Sequence, residues 1–548
     1  MPDLAQYQGQ WITLTEHGEE KEKLVGKSPA ELNNVATAEG SAALRSLAWV
    51  SPYPPHIPMP RWPLADIATI LPHQGTWLAG GPVRDLLLGK LPHDWDFVTA
   101  YSGLVAARSV ADALHGAYYP LDKERKTGRA VVNQPDSDLP ITIDFAELRA
   151  STLEEDLWAR DFTINAMALT LGGRLIDPTG GQDDLRDHCL RMTNSRTFED
   201  DPSRLLRAVR LSAHLALSLE PRTRAQVKAG AAMIRSVAAE RIRTELVRLM
   251  AHHTAPHGLR CLADLGLLAH VLPELAHLQQ VGPHGSASPP SAFTQTVTEI
   301  AILHQMDRLL VEAPALACAS HPGLPKWVWE AFCRALKCMS DPLLDYLDTA
   351  VSAEVTRGNL IKWGALFSAT VVHPAPVATD ADLVARRCEA LRFSRKAVGF
   401  VRLMAAQSHR FDELLAASLI GPPFTQPSLR RRQIYRFYDA TGDAGVGLVM
   451  LGAARYLAGR AGHLPPARWQ AVLKLADELL SSYFHEYDDV VAPQTYLTGR
   501  DLLRMGIPAG PEVGRVLDNL REAQAAGDVT SRVEACRHVA RSRQSPSQ

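Results

Sequence analysis

"LAGGPVRDLLLGKLPHDWDFVTA", Leu78–Ala100, packs a glycine pair, an apolar run and two aspartates one residue apart into one short stretch. Gly80 and Gly81 follow the strand-like TWLA and precede the helix-like VRDLLLG. Glycines there allow a tight turn and a close backbone approach, and the first amides of the following helix face any anion held in that turn. A phosphate group fits such a place, although an ordinary turn would use the same residues. Asp94 and Asp96 stand at i and i+2 in DWDFVTA, so a strand carries both carboxylates on one face and Trp95 and Phe97 on the other. Two like charges that close repel one another unless a cation sits between them. Mg²⁺, a hard ion that takes oxygen ligands and substrate phosphates, suits the pair; a solvated loop is the plainer alternative. Asp144 ends the apolar run of ITIDFAEL. Laid beside the Asp94–Asp96 strand it would add a third carboxylate to a two-metal centre, and a capping or salt-bridging role suits it equally.

Outward from this stretch, Trp77 to about Ile176 alternates short β-rich runs (TWLAGG, DWDFVTA, RAVVN, ITIDFAEL, AMALTL, RLIDP) with helical ones (VRDLLLG, SGLVAARSVADALHG), which predicts a small mixed α/β head. Past Asp200 the pattern is helical almost throughout. The start of the chain is polar and ends in the proline-dense SPYPPHIPMPRWP, an extended linker by composition. A second breaker-rich stretch, VGPHGSASPP, Val281–Pro290, separates one helical module from the next. The resulting division is a poorly ordered extension over 1–60, a head over 61–192, and helical neck, body and tail over 193–280, 281–420 and 421–548.

The 548 residues exceed one ordinary core, and the balance of 46% apolar to 22% charged residues is that of a soluble protein. No apolar run reaches the ~18 residues of a membrane span. The N-terminus lacks a basic start and an apolar stretch, so a cytoplasmic location is expected. Seven cysteines without a C-x-x-C pair argue against structural zinc and a disulfide framework. A net charge of only −2 means that any polyanionic partner must meet a local basic surface.

Four motifs, GGPVRDLLLGKLPHDWDFVT, DLWARDFTINAMAL, IDPTGGQDDL and EDDPSRLLRAVRLSAHL, follow one another between Gly80 and Leu215. In this order the chain closely resembles the bacterial class II tRNA nucleotidyltransferase and poly(A) polymerase family. The resemblance holds over about residues 75–250 and returns in YLTGRDLLRMGIPAGPEVGRVLDNLREAQAAGDVTS, Tyr496–Ser531. It implies an α+β protein with a polymerase-β-like nucleotidyltransferase head, a mixed sheet plus helices, followed by all-α neck, body and tail domains. It also implies addition of CMP and AMP from CTP and ATP to the tRNA 3′ end without a nucleic-acid template, with Mg²⁺ as cofactor. Carried over, Asp94 and Asp96 bind the metal, and Asp144 matches a third acidic position. Gly80, Gly81, Arg84 and the neighbouring Asp85 form the triphosphate turn, and Arg160, Asp161 and Asn165 lie near the sugar and phosphates. Ala159 replaces an arginine usual in the family, so one cationic contact is missing.

Asp201, Arg204, Arg207 and Arg210 follow one sloping stripe of a helix that Asp200 or Asp201 can cap. The family reads the incoming base with the equivalent of Asp201 and Arg204. A carboxylate accepts from an exocyclic amine and a guanidinium donates to ring nitrogen or carbonyl oxygen, which admits C and A. ERIRTEL, Glu240–Leu246, resembles a later family motif and is expected to brace the neck. Family members that add all of CCA carry a flexible loop after the acidic strand. In IDFAELRASTLEEDLWARDF that strand runs almost directly into the next motif, as in enzymes that add only CC.

Poly(A) synthesis and a catalytically inactive RNA-binding relative are the competing readings. The mildly basic C-terminus and the intact Asp94, Asp96, Asp201 and Arg204 favour tRNA end addition over both. The only His-Asp dipeptide, His93-Asp94, lies inside the first motif, so no His-Asp phosphohydrolase activity is expected. SLRRRQIYRFYDATG, Ser428–Gly442, is either an RNA-facing surface or an aromatic core face with solvated arginines; the Gly510–Pro511 turn offers either an RNA phosphate site or an ordinary helix start. Partners are therefore the tRNA 3′ end, CTP and ATP; no membrane and no protein partner are inferred.

Overall fold

The computed structural model describes residues 10–17, 20–26, 47–50, 61–92, 94–134, 137–276, 278, 291–311, 324–352, 354–370, 378–420, 427–460 and 464–544, the first three stretches as backbone. Strands β1 (Gln10–His17), β2 (Glu20–Gly26) and β3 (Leu47–Val50) form an antiparallel sheet in the order β2–β1–β3. The rest of the 1–60 extension, its proline-dense end before Arg61, and the linker over Val281–Pro290 lie outside the described residues. The chain divides into two units: Met1–Arg204 with Ala216–Gln226, and Leu205–Leu215 with Val227–Gln548.

The first unit holds a seven-stranded mixed sheet. Its strands are β4 (Thr76–Ala79), β5 (Asp94–Thr99), β6 (Ala117–Asp122), β7 (Thr127–Gln134), β8 (Ser137–Glu147), β9 (Ala168–Thr170) and β10 (Leu175–Ile176), in the order β10–β9–β4–β5–β8–β7–β6. Only β5 and β8 pair in parallel. A parallel pair needs a crossover, supplied here by a helix and the β6–β7 hairpin. Two helices follow β4 and β5 directly: α1 (Gly81–Leu87) and α2 (Gly103–Ala113).

Side-chain alternation decides which face is core. Along β5, Trp95 and Phe97 are buried while Asp94 and Asp96 are exposed. Phe97 stacks on its register partner Phe145 of β8 with ring centroids 5.0 Å apart. Helix α2 packs across β7 and β8 through Ala106, Ala107 and Val110. That approach needs a glycine, because a Cβ on Gly128 of β7 would lie 2.8 Å from the Ala107 Cβ. The strand-like runs of the sequence all became strands. β6 did not announce itself, since as an edge strand it leaves Tyr119 and Leu121 about half exposed and has no buried alternation to read.

Helix α3 (Leu153–Trp158) lies between β8 and β9, and α4 (Arg204–His214) carries the chain across the unit boundary. In the second unit, α5 (Ala239–Ala251), α6 (Ala255–Asp264), α7 (Ala292–Val311) and α8 (Arg357–Ser368) precede the helix α9 (Pro427–Thr441). Trp329, Trp363 and Trp469 are almost wholly enclosed in this unit. On α9 the aromatics Tyr435, Phe437 and Tyr438 are buried, and the arginines face acidic neighbours. Arg430 pairs with Glu478 at 3.4 Å and Arg436 with Glu522 at 2.7 Å, while Arg432 reaches Glu522 and Asp528. Arg430, Arg432 and Arg436 are thus each paired with an acidic neighbour, while the aromatics of the same helix face the core. Leu497, Leu502, Ile507, Leu520, Val529 and Val539 form a separate small core near the C-terminus. The helix Gly499–Arg504 beside it starts with a Thr498–Asp501 capping box.

Among the described residues no helix is long and apolar enough to cross a membrane, and the six cysteines present are free thiols.

Candidate active site

Register brings the acidic residues together. In the parallel β5–β8 pair Asp96 lies opposite Asp144 and Asp94 opposite Thr142. Successive side chains alternate between faces, so Asp94, Asp96 and Asp144 share the face opposite the phenylalanine stack. The antiparallel β4–β5 pair sets Leu78 opposite Phe97. One residue further, the end of β4 and the Gly80 turn run alongside Asp96 and Asp94.

Asp144 already has a partner. Arg129, its register partner on β7, donates from Nε and Nη2 to the two carboxylate oxygens at 2.7 and 2.8 Å. This fork, with Asp94 and Asp96 adding to the field, raises the Arg129 guanidinium above its ordinary pKa.

A second cluster forms at the turn. Gly80 has φ +84° and donates its amide to the Met167 carbonyl at 3.0 Å. Arg84 on α1 donates to the Asp85 carboxylate at 2.7 and 2.9 Å and to Asn165 Oδ1 at 2.7 Å. Asp161 and Asn165 are buried, with the Asn165 amide on Asp161 Oδ1 at 3.2 Å. Arg160 rests on Asp156 at 3.3 Å, so close to the turn that a Cβ on Gly80 would lie 2.7 Å from Arg160 Nη1. Asp156 is itself buried, and its other oxygen accepts the Arg149 amide at 3.0 Å.

Asp201 turns the chain into α4 by accepting the Ser203 amide and hydroxyl, at 3.1 and 2.7 Å. Arg204 donates to the Ala159 carbonyl at 3.1 Å and the Thr197 carbonyl at 3.3 Å. The alanine that replaces the family's arginine therefore still holds Arg204, through its backbone. The arginine stripe divides: Asp201 and Arg204 belong to the first unit, Arg207 and Arg210 to the second. Arg207 is exposed, whereas Arg210 is nearly enclosed and bonded to Glu245 of α5 at 2.6 Å. Burial lowers the Arg210 pKa, and Glu245 opposes that shift. Arg210 is thus committed to a structural ion pair.

Sequence reasoning missed three residues that shape the site. Arg129 could be found only once β7 was paired with β8. Asp156 carried a signal, its i, i+4 spacing to Arg160 on a helix. Glu245 lies in ERIRTEL, whose bracing role was foreseen but whose partner was not.

No group of three or more His, Cys, Asp or Glu side chains is arranged to hold a metal among the described residues. The exposed carboxylates of Asp94 and Asp96 nevertheless suit a hard divalent ion that keeps water or phosphate oxygens in the rest of its shell.

A sequence-family profile described as the poly A polymerase head domain matches residues 76–191, and one described as a probable RNA and SrmB-binding site of polymerase A matches residues 216–278. The chain is 33% identical over 471 residues to a CC-adding tRNA nucleotidyltransferase of Thermus thermophilus, covering 83% of this chain and 91% of that one. It is 30% identical over 478 residues to an A-adding tRNA nucleotidyltransferase of Deinococcus radiodurans, covering 85% and 95%. Among solved structures, a CCA-adding enzyme in an apo form superposes with a TM-score of 0.53 at 20% identity, over 89% of this chain and 97% of that one. A complex of a CCA-adding enzyme with ATP gives 0.52 at 20%, over 85% and 91%. At that identity the two structures speak to the fold, an α+β head followed by helices.

Proposed function

The chain belongs to the tRNA nucleotidyltransferase family, and on that premise we propose that it adds cytidylate residues, without the terminal adenylate, to the 3′ end of tRNA. The carrying observation is the β5–β8 register, which puts Asp94, Asp96 and Asp144 on one sheet face beside the Gly80 turn. The restriction to CC is supported by the connection from β8 to α3, only Leu148 to Thr152, which leaves no room for a flexible loop.

In the reaction the tRNA 3′-hydroxyl oxygen bonds to the α-phosphorus of CTP, the bond from that phosphorus to the bridging oxygen breaks, pyrophosphate leaves, and the hydroxyl proton passes to solvent. A divalent ion is needed in this family, and we assign Mg²⁺ to Asp94 and Asp96, where it supplies charge neutralisation at the phosphates. The remaining work is positioning. Gly80 and Gly81 leave the turn open to the triphosphate. Asp85 and Asn165 aim the Arg84 guanidinium at it, and Asp156 holds Arg160 beside the same turn. Asp161 keeps Asn165 in place. Asp201 and Arg204 offer an acceptor and a donor to the base edge. Arg210 bonds Glu245 within the second unit.

Incubation with tRNA lacking its 3′ CCA and with labelled CTP and ATP tests the proposal. Two CMP residues and no AMP are the expected product, and Asp94→Ala should lower the rate by roughly 10³-fold or more while leaving the melting temperature near that of the wild type. Efficient addition of the terminal A would remove the CC restriction. Long A tails on other RNAs, or full activity in Asp94→Ala, would overturn the reading itself.

A further inference from the structure

Register joins the acidic face to the outer edge of the sheet. Asp96 of β5, Asp144 of β8, Arg129 of β7 and Tyr119 of β6 are successive register partners, so they form one row across the strands. Directly paired residues share a face. Tyr119 therefore stands on the face that bears the carboxylates, three strand spacings or roughly 14 Å from Asp96. Its neighbour Tyr118 faces the other way, where Arg108 of α2 lies over its ring at 4.6 Å. Tyr119 is 52% exposed. In the next row Thr142, Val131 and Ala117 follow Asp94, short side chains of which none is buried. The carboxylate face thus continues outward as a shelf with an aromatic ring at its far end.

The shelf lies on one particular side of the reaction centre. In-line displacement sets the attacking and leaving oxygens on opposite sides of the α-phosphorus. With the triphosphate at the Gly80 turn, which ends β4, pyrophosphate leaves on the β4 side of β5 and the attacking hydroxyl enters from the β8 side. The strand behind that hydroxyl is then next to β8 and β7, along the row. Arg129 directs Nε and Nη2 at Asp144, and its Nη1, without a partner among the described residues, can donate to a phosphate or ribose oxygen above it. A half-exposed tyrosine on an open sheet face is a stacking platform for an unpaired base, and every base offers a π-face to it.

We propose that Tyr119 is a primer-binding residue: an unpaired nucleotide near the RNA 3′ end lies over the Asp144–Arg129 row and stacks its base on the Tyr119 ring. The assignment rests on the function proposed above, because the 3′-hydroxyl at Asp94 and Asp96 fixes where the strand begins.

Steady-state kinetics of the full chain on tRNA that carries one C of its CCA end test the assignment. Tyr119→Thr removes the ring and keeps a β-branched residue suited to a strand; Tyr119→Phe keeps the ring. The KM for this tRNA is expected to rise roughly tenfold in Tyr119→Thr, the scale of one lost stacking contact, and to stay near the wild-type value in Tyr119→Phe. The KM for CTP should stay near wild type in both, and a melting curve checks their fold. A photoactivatable thiouridine in place of the unpaired nucleotide before that C should cross-link to the β6–β7 hairpin, which a merely structural Tyr119 would not bring about. An unchanged KM for tRNA in Tyr119→Thr overturns the inference, and so does cross-linking confined to other parts of the chain. An effect of Tyr119→Thr on oligomeric state alone gives the edge strand to a second copy of the chain and overturns it as well. A wild type that adds no nucleotide to any RNA brings down the proposed function and this assignment with it, whereas CMP addition with a tRNA KM indifferent to Tyr119 removes this assignment alone.

Discussion

Gly80 shows most directly how much one residue decides. Its φ of +84° is open to glycine and strained for other residues, and the space where a Cβ would stand is filled by the Arg160 guanidinium. Gly80→Ala should therefore cost about 1–2 kcal/mol of stability and push Arg160 from its seat on Asp156. Misplacing a triphosphate-facing cation by an ångström should raise the KM for CTP or lower kcat by roughly 10- to 100-fold. Thermal unfolding and steady-state kinetics of the variant measure the two effects separately. The glycine pair was visible in the sequence, but its reason was not: Arg160 stands far along the chain and reaches the turn only after the intervening sheet has formed.

At the scale of the element, strand period is the decisive physics. A spacing of two residues fixed which face of β5 bears Asp94 and Asp96, and the same rule carried Asp144 to that face of β8. Pairing then added Arg129, which holds Asp144 by two hydrogen bonds and sets a positive charge beside the acidic face. Arg129→Gln should release Asp144 and remove that positive charge, so the divalent ion should bind several-fold more tightly. Mn²⁺ titration followed by electron paramagnetic resonance reads this without reference to turnover, and unchanged affinity would count against it. The helix stripe tells the opposite story. Spacing placed Arg204, Arg207 and Arg210 on one slope, yet it could not reveal that Glu245 takes Arg210 and that the Ala159 carbonyl takes Arg204.

At the scale of the molecule, the helical unit carries a liability toward acid. His214 stacks on His252 with centroids 4.2 Å apart, and burial, then the neighbouring His252, pushes its pKa down to about 3. Burial also holds His304 well below its ordinary value. The unfolded chain takes up these protons near pH 6.5, whereas the folded chain does not do so until pH about 3 for His214. Below pH 6.5 the unfolded state thus binds more protons, and stability falls as pH falls through this window. The slope is at most about 1.4 kcal/mol per pH unit for each histidine, and less where water reaches the ring. Urea midpoints measured from pH 7 to pH 4 should decline, and His214→Phe should flatten the decline. A variant with the wild-type slope would exclude His214 as the source.

The sequence by itself determined the mixed sheet followed by helices, the face of β5 that bears carboxylates, and the glycine turn, because each rests on periodicity or backbone sterics within a few residues. Tertiary structure alone decided the partners. Arg129 on Asp144, Arg160 against the Gly80 turn, and Glu245 on Arg210 all join residues distant in the chain. Charge pairs of this kind depend on a few ångströms of separation, a quantity that local spacing does not contain and that only the folded chain supplies.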